Sequence, residues 1–194
     1  MNSFEMISNL KIQGEVAADV PMKGLTTMRV GGAADCVVYA ACAQDVETVV
    51  RFCREAGVLL TIVGRGSNLI VRDGGLRGVV LQLGKAFAQV TAEGCTLTAQ
   101  AGATLGALAR AAQEQGLAGL EFAEGIPGSV GGGVYMNAGA YGGEMSQVLV
   151  SARVLTREGE IVTLDNAALE MRYRHTSLIE NGGVVLEATF ALQK

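Results

Sequence analysis

Residues 122–143, FAEGIPGSVGGGVYMNAGAYGG, constrain this chain more than any other stretch. They hold eight of its 27 glycines and one of its two prolines, and no charge follows Glu124 within them. A backbone this bare can lie against something large and flat, because nothing projects from it and glycine adopts dihedrals closed to other residues. Pro127, Gly128 and Ser129 read as a turn that opens a short helix, with first N–H groups suited to an anion. The same composition also fits a buried turn that packs a helix against a sheet, and the stretch alone does not choose between the two.

Composition narrows the classes. With 194 residues, 49% of them hydrophobic and 18% charged, the chain is expected to be a soluble globular protein of one large domain or two lobes. A net charge of −4 and a pI near 5.1, with no run of basic residues, exclude nucleic acid or an anionic membrane as the main partner. No window carries the roughly 18 apolar residues of a membrane span, and MNSFEMISNLKIQGE lacks the basic-then-apolar pattern of a secretory signal. Cys36, Cys42, Cys53 and Cys95 have no CxxC spacing, and His175 is the only histidine. No metal site is expected, and four unpaired thiols suit the cytoplasm.

In chain order, residues 4–10 read as a short helix and the following dozen as a polar lead-in. PMKGLTTMRVGGAAD (21–35) places paired threonines before a Gly31–Gly32 turn, and CVVYA then reads as a strand. Residues 44–56 have helical spacing at Val46, Val49, Val50 and Cys53, with Gly57 as the cap. VLLTIV (58–63) reads as a buried strand leading into Gly64, Arg65, Gly66, Ser67 and Asn68. This loop is neither a Rossmann fingerprint, which would need a glycine at Leu69, nor a Walker A loop, which would need a lysine. Its successive N–H groups and its Ser67 and Asn68 side chains make an anion-binding concavity even so, although a plain strand connection fits the same residues.

LIVRDGGLRGVVLQL (69–83) reads as two β-like runs around Asp73–Gly75. AQVTA and TLTAQAG read as strands, Thr104 as the cap of a helix through Gln115, and 147–164 as a hairpin. In MRYRHTSL (171–178) a guanidinium beside a tyrosine suits a carboxylate or phosphate, or else is a solvated turn. The final strand is 183–192. This order, without strict βαβ repetition, predicts an α+β architecture: a lead-in over 1–19, one lobe over 20–84 and another over 85–194, each offering one glycine loop to a ligand between them.

PMKGLTTMRVGGAAD, VGRGSNLIVRDGGLRGVV, GLAGLEFAEGIPGSVGGGVYMNAGAYGGEM and YRHTSL followed by VVLEATFAL together resemble the UDP-N-acetylenolpyruvoylglucosamine reductases, from about residue 20 onward and in the family's order. The resemblance implies the two-lobed FAD-binding fold of vanillyl-alcohol oxidase and p-cresol methylhydroxylase. It also implies NADPH- and FAD-dependent reduction of the enolpyruvyl ether of UDP-N-acetylglucosamine to UDP-N-acetylmuramate, a step of peptidoglycan synthesis. On this resemblance Gly64, Arg65, Gly66, Ser67 and Asn68 match the loop holding the FAD pyrophosphate. Ile126, Pro127, Gly128, Ser129, Val130, Gly131, Gly132 and Gly133, with Asn137, Ala138 and Gly139, match the wall facing the flavin and its diphosphate. Tyr141 and Tyr173 match positions near the substrate, and Arg174 matches the catalytic arginine that holds the carboxylate and stabilises the enolate.

Two departures stand out. The family's YRxS reads Tyr173-Arg174-His175-Thr176, which keeps a hydroxyl. Family members also continue beyond the equivalent of Lys194 into a substrate lobe carrying a proton-donating serine and a glutamate, so the expectation is a flavin-binding part that does not complete the reaction alone. Another oxidoreductase of the same fold and a non-catalytic flavin-binding module are the alternatives.

Overall fold

The segment that reads as a polar lead-in is partly a strand. In the computed structural model, which describes residues 3–194, α1 (Ser3–Ser8) is followed by β1 (Glu15–Pro21), and only residues 1 and 2 of the lead-in lie outside the described residues. β1 runs antiparallel to β2 (Ala33–Ala40), pairing Val16 with Val38 and Val20 with Ala34. Its side chains are exposed or half-buried, so this edge strand carries little apolar signal, and its stability comes from the ladder. The approach to it is fixed by Asp45, 1% exposed, whose carboxylate accepts from the N–H groups of Gln13 (2.8 Å), Gly14 (3.0 Å) and Ala41 (2.9 Å).

Contacts divide the chain into two units, Met1–Phe87 and Ala88–Lys194. In the first, α2 (Ala43–Ala56) buries Val46, Val49, Val50 and Cys53 and stops at Gly57, which takes φ 64°. β3 (Leu60–Val63) and β2 both run parallel to β4 (Leu76–Leu83), giving the sheet order β1-β2-β4-β3. One crossover unit, β2-α2-β3, is therefore present with β4 inserted between its strands. Residues 69–71 differ from the β-like reading and join no strand. Arg72 turns the chain instead, accepting from Gly75 N (2.9 Å) and Gly32 N (3.0 Å), while Val71 enters the core with Met22, Ala34, Val37, Val63 and Val80.

The second unit follows the sequence reading closely. β5 (Val90–Glu93) and β6 (Thr96–Gln100) form a hairpin, and α3 (Leu105–Glu114) is capped by the Thr104 hydroxyl, which accepts from Ala107 N at 2.9 Å. Next come α4 (Val130–Tyr135), the two-residue strands β7 (Gly139–Ala140) and β8 (Gly143–Glu144), the hairpin β9 (Leu149–Leu155) and β10 (Ile161–Asp165), α5 (Leu178–Asn181) and β11 (Val184–Ala191). β11 enters the middle of an antiparallel sheet of order β10-β9-β11-β6-β5, and α4 lies against it. Among the described residues no helix is long and apolar enough to cross a membrane, and no group of His, Cys, Asp and Glu could hold a metal ion.

Candidate functional site

In the first unit, β3 ends directly at the loop Gly64–Asn68. Gly66 is buried at φ 62°, and a side chain there would run into the Leu25 carbonyl and Thr26. Thr27 N donates to Gly66 O at 3.1 Å, and the buried Thr26 hydroxyl donates to Val30 O at 2.9 Å. The paired threonines and the glycine loop, separate in sequence, are thus one assembly in which Gly66 supplies a close approach. Its docking turns Arg65, Ser67 and Asn68 outward. Met28, Val30 and Ile70 of the same two segments are large apolar residues left exposed. Charged and hydroxyl donors beside exposed apolar side chains suit a ligand that has both an anionic and a flat apolar part.

In the second unit the expected short helix is present, with Ser129 as its cap, but its first N–H groups are not free. Val130 N donates to Ala103 O (2.8 Å), Gly131 N to Ala101 O (2.9 Å) and Gly132 N to the Ser129 hydroxyl (3.4 Å). The bridge between Thr104 and Ser129 stitches this end of α4 to the segment after β6, and that pairing uses the donors an anion would have taken. Bareness remains the feature available to a ligand, and it divides glycine by glycine. A Cβ on Gly131 would come within 2.8 Å of the Ala101 Cβ, one on Gly133 within 3.1 Å of Leu105 and Met145, and one on Gly128 within 3.1 Å of Leu105. Those glycines serve the protein's own packing. Gly132 is exposed, and a Cβ there would meet only the Ser129 hydroxyl at 3.4 Å. Val130 and Ala138 are core residues, Ile126 is half-buried and Pro127 exposed.

Two tight turns carry the remaining candidates. Tyr141 and Gly142 join β7 to β8 at φ 54° and 84°, and Tyr141 is 96% exposed. Tyr173, 89% exposed, and Arg174, at φ 53°, form the tip of a turn closed by Arg172 N to His175 O (3.1 Å) and His175 N to Arg172 O (3.0 Å). The Arg172 guanidinium lies 2.9 Å from His175 Nε2, and Glu180 faces both, at 3.7 Å from Arg172 and 3.2 Å from His175. The Thr176 hydroxyl donates to Tyr135 O at 2.8 Å, a bond serine could also make. Asn137 Nδ2 donates to Arg172 O at 3.1 Å. The structure therefore brings the end of α4 together with the Tyr173–Arg174 turn through Asn137 and Thr176, links that sequence spacing gives no means of seeing.

In the first unit a loop of exposed donors follows a crossover strand outside any Rossmann unit, and in the second an exposed, bare backbone at Gly132 remains open, features of the class of protein that takes an anionic, partly flat ligand without a Rossmann fingerprint. The chain belongs to the FAD binding domain family, whose model matches residues 34–165. It is 48% identical to the UDP-N-acetylenolpyruvoylglucosamine reductase of Levilactobacillus brevis over 178 residues, covering 92% of this chain and 58% of that relative. The crystal structure of the corresponding reductase from Thermus caldophilus superposes with a TM-score of 0.79 at 31% identity, over 94% of this chain and 63% of that one. The substrate-bound crystal structure of p-cresol methylhydroxylase, at 18% identity and a TM-score of 0.61 over 85% of this chain and 36% of that one, shares the fold, as the sequence led us to expect. The chain spans about three fifths of the length of the curated relative it matches.

Proposed function

We propose that the chain is the flavin-holding part of a UDP-N-acetylenolpyruvoylglucosamine reductase, acting on the enolpyruvyl ether of UDP-N-acetylglucosamine in peptidoglycan synthesis. Bound FAD supplies two-electron transfer from NADPH to the enolpyruvyl double bond. The residues fit such a group. The outward Arg65 and Ser67 donors suit its diphosphate, and the open backbone at Gly132 leaves room for a flat ring. Arg174, held at a turn tip, binds the substrate carboxylate and stabilises the negative charge that builds on it as the double bond is reduced. Tyr173 and Tyr141 shape and anchor the substrate around that charge. Four free cysteines accord with a cytoplasmic setting. On this reading, the part of the relatives' length outside the match supplies the proton that completes the product.

The observation that carries the reading is the Tyr173–Arg174 turn, which holds an arginine in the left-handed conformation beside an exposed tyrosine, the kind of local departure that clusters at ligand sites. The test begins with the visible spectrum of the chain after loading with FAD and desalting, where a retained flavin band is expected. Arg174→Ala in the complete enzyme should then keep the band and lower NADPH oxidation that depends on the enolpyruvyl substrate by about 10²–10³-fold. A retained band with undiminished turnover would remove Arg174 from the reaction.

A further inference from the structure

Asn137 stands in a place where its neighbours would lead one to expect glycine. It follows the last turn of α4 at φ 42°, its N–H donates to Val134 O (3.1 Å), and Ala138 N donates to Gly133 O (2.8 Å). That bond pair is the Schellman helix stop, whose left-handed residue is most often glycine because an L side chain is strained there. In a stretch with eight glycines, this one left-handed helix stop holds an asparagine. Asparagine tolerates the conformation better than other side-chain-bearing residues, yet glycine would tolerate it at no cost. The side chain must therefore do something a glycine cannot.

Its amide is engaged at both ends. Asn137 is 2% exposed, its Nδ2 donates to Arg172 O (3.1 Å) and its Oδ1 accepts from Ser146 N (2.9 Å). Ser146 belongs to the segment after β8, where its hydroxyl bonds to Glu144 and its carbonyl accepts from Asn166 Nδ2 at 2.6 Å. Arg172 is the residue whose backbone closes the Tyr173–Arg174 turn. One buried side chain thus ties together two segments, the Arg172–His175 turn and the segment that follows the Tyr141 hairpin. We propose that Asn137 is a positioning residue: its amide sets Arg174 and Tyr173 relative to the glycine-rich wall, and it does not itself contact the cofactor. The functional half of this inference rests on the reading of Arg174 as the group that holds the substrate carboxylate.

Asn137→Gly keeps the helix stop and deletes only the amide, so it separates the side chain's role from that of the backbone. The first readout is hydrogen exchange of the His175 and Ser146 amides in the flavin-free chain. Loss of one bond from a buried donor or acceptor is expected to raise exchange at both sites about tenfold, while the core strand β11 keeps its protection. Unchanged exchange at both sites overturns the proposal. Asn137→Asp adds a signature that a general loss of stability would not give. Ionised, its carboxylate opposes the Arg172 carbonyl; protonated, it can donate to that carbonyl and still accept from Ser146. Protection at His175, measured against wild type at each pH so that the titrations of His175, Glu180 and Glu144 cancel, should recover as the pH falls through the carboxyl's pKa. A flat ratio overturns the donor role.

The second readout is the flavin band of the loaded complete enzyme titrated with the enolpyruvyl substrate. Asn137→Gly should leave flavin retention unchanged and weaken substrate binding about tenfold, and loss of flavin with intact substrate affinity overturns the positioning role. A wild-type protein that holds no flavin, with the exchange changes still present, supports the tie and overturns the flavin reading.

Discussion

Tyr141 takes φ 54° at the tip of a two-residue hairpin and exposes 96% of its surface. The geometry of this turn favours glycine, asparagine or aspartate at that position, and a bulky aromatic there carries conformational strain of about 1 kcal/mol with no burial to offset it. Arg174 shows the same mismatch at φ 53°, beside an exposed Tyr173. For Tyr141 the strained backbone is not offset by burial, so the use of this side chain lies outside the folded chain itself. Tyr141→Gly is accordingly expected to stabilise the protein by about 1 kcal/mol, read as a raised urea midpoint with an unchanged slope. In the complete enzyme it should weaken substrate binding in the same experiment that leaves flavin retention intact. A variant that is less stable than wild type would mean that the tyrosine is held by contacts of the fold, and the functional argument from strain would fail.

At the scale of the element, α4 separates the two readings its sequence permits. Gly131 and Gly132 are adjacent, both in the first turn, yet a methyl group at the first meets the Ala101 Cβ at 2.8 Å and one at the second meets only the Ser129 hydroxyl at 3.4 Å. Gly131→Ala should cost about 1–3 kcal/mol, because the helix must move off the segment to which its N–H groups are bonded. Gly132→Ala should do the opposite to stability, since alanine in a helix is favoured over glycine by about 1 kcal/mol. If the flavin lies over this exposed backbone, the same substitution weakens FAD retention, measured by equilibrium dialysis against free FAD. A Gly132→Ala protein that is more stable and holds FAD unchanged would mean that Gly132 serves neither packing nor the flavin, and that the flavin does not lie over this backbone. Sequence made the helix visible through Pro127, Ser129 and the glycines. It could not show which glycines face inward, because that depends on Ala101 and Leu105, which approach only once β6 and α3 are in place.

Across the whole molecule, what could be read in advance followed the density of apolar pattern. β2, α2, β4, α3 and β11 were evident because each buries a periodic or continuous apolar face. β1 was not, because an edge strand is held by backbone bonds that leave no mark on composition. The candidate site divided in the same way. Loop identities could be read from the residue types, whereas the ties made by Asn137, Thr176 and Gly66 span 35, 41 and 39 residues of chain and arise only on folding.

Chemistry divides the molecule along another line, since among the described residues the shifts in acidity, at Cys36, Tyr39 and Cys53, fall in the unit that ends at Phe87. Burial, helped by the Asp35 charge, pushes the Cys36 thiol up to about 11, burial with the nearby Cys36 does the same to Cys53, and burial with Glu15 raises Tyr39. A thiol that keeps its proton in the folded state and loses it near pH 9 when unfolded binds more protons folded than unfolded in that range. Stability is therefore fully present below pH 9 and falls as the pH rises towards 11, by roughly 2 kcal/mol for each thiol considered alone. The loss should be confined to the first unit. Between pH 9 and 11, cysteine-labelling rates corrected for intrinsic thiol reactivity should rise at Cys36 and Cys53, while the urea resistance of β11 stays level. A parallel loss in both units would mean that they unfold as one cooperative body, so that the alkaline limit of the first sets that of the whole chain.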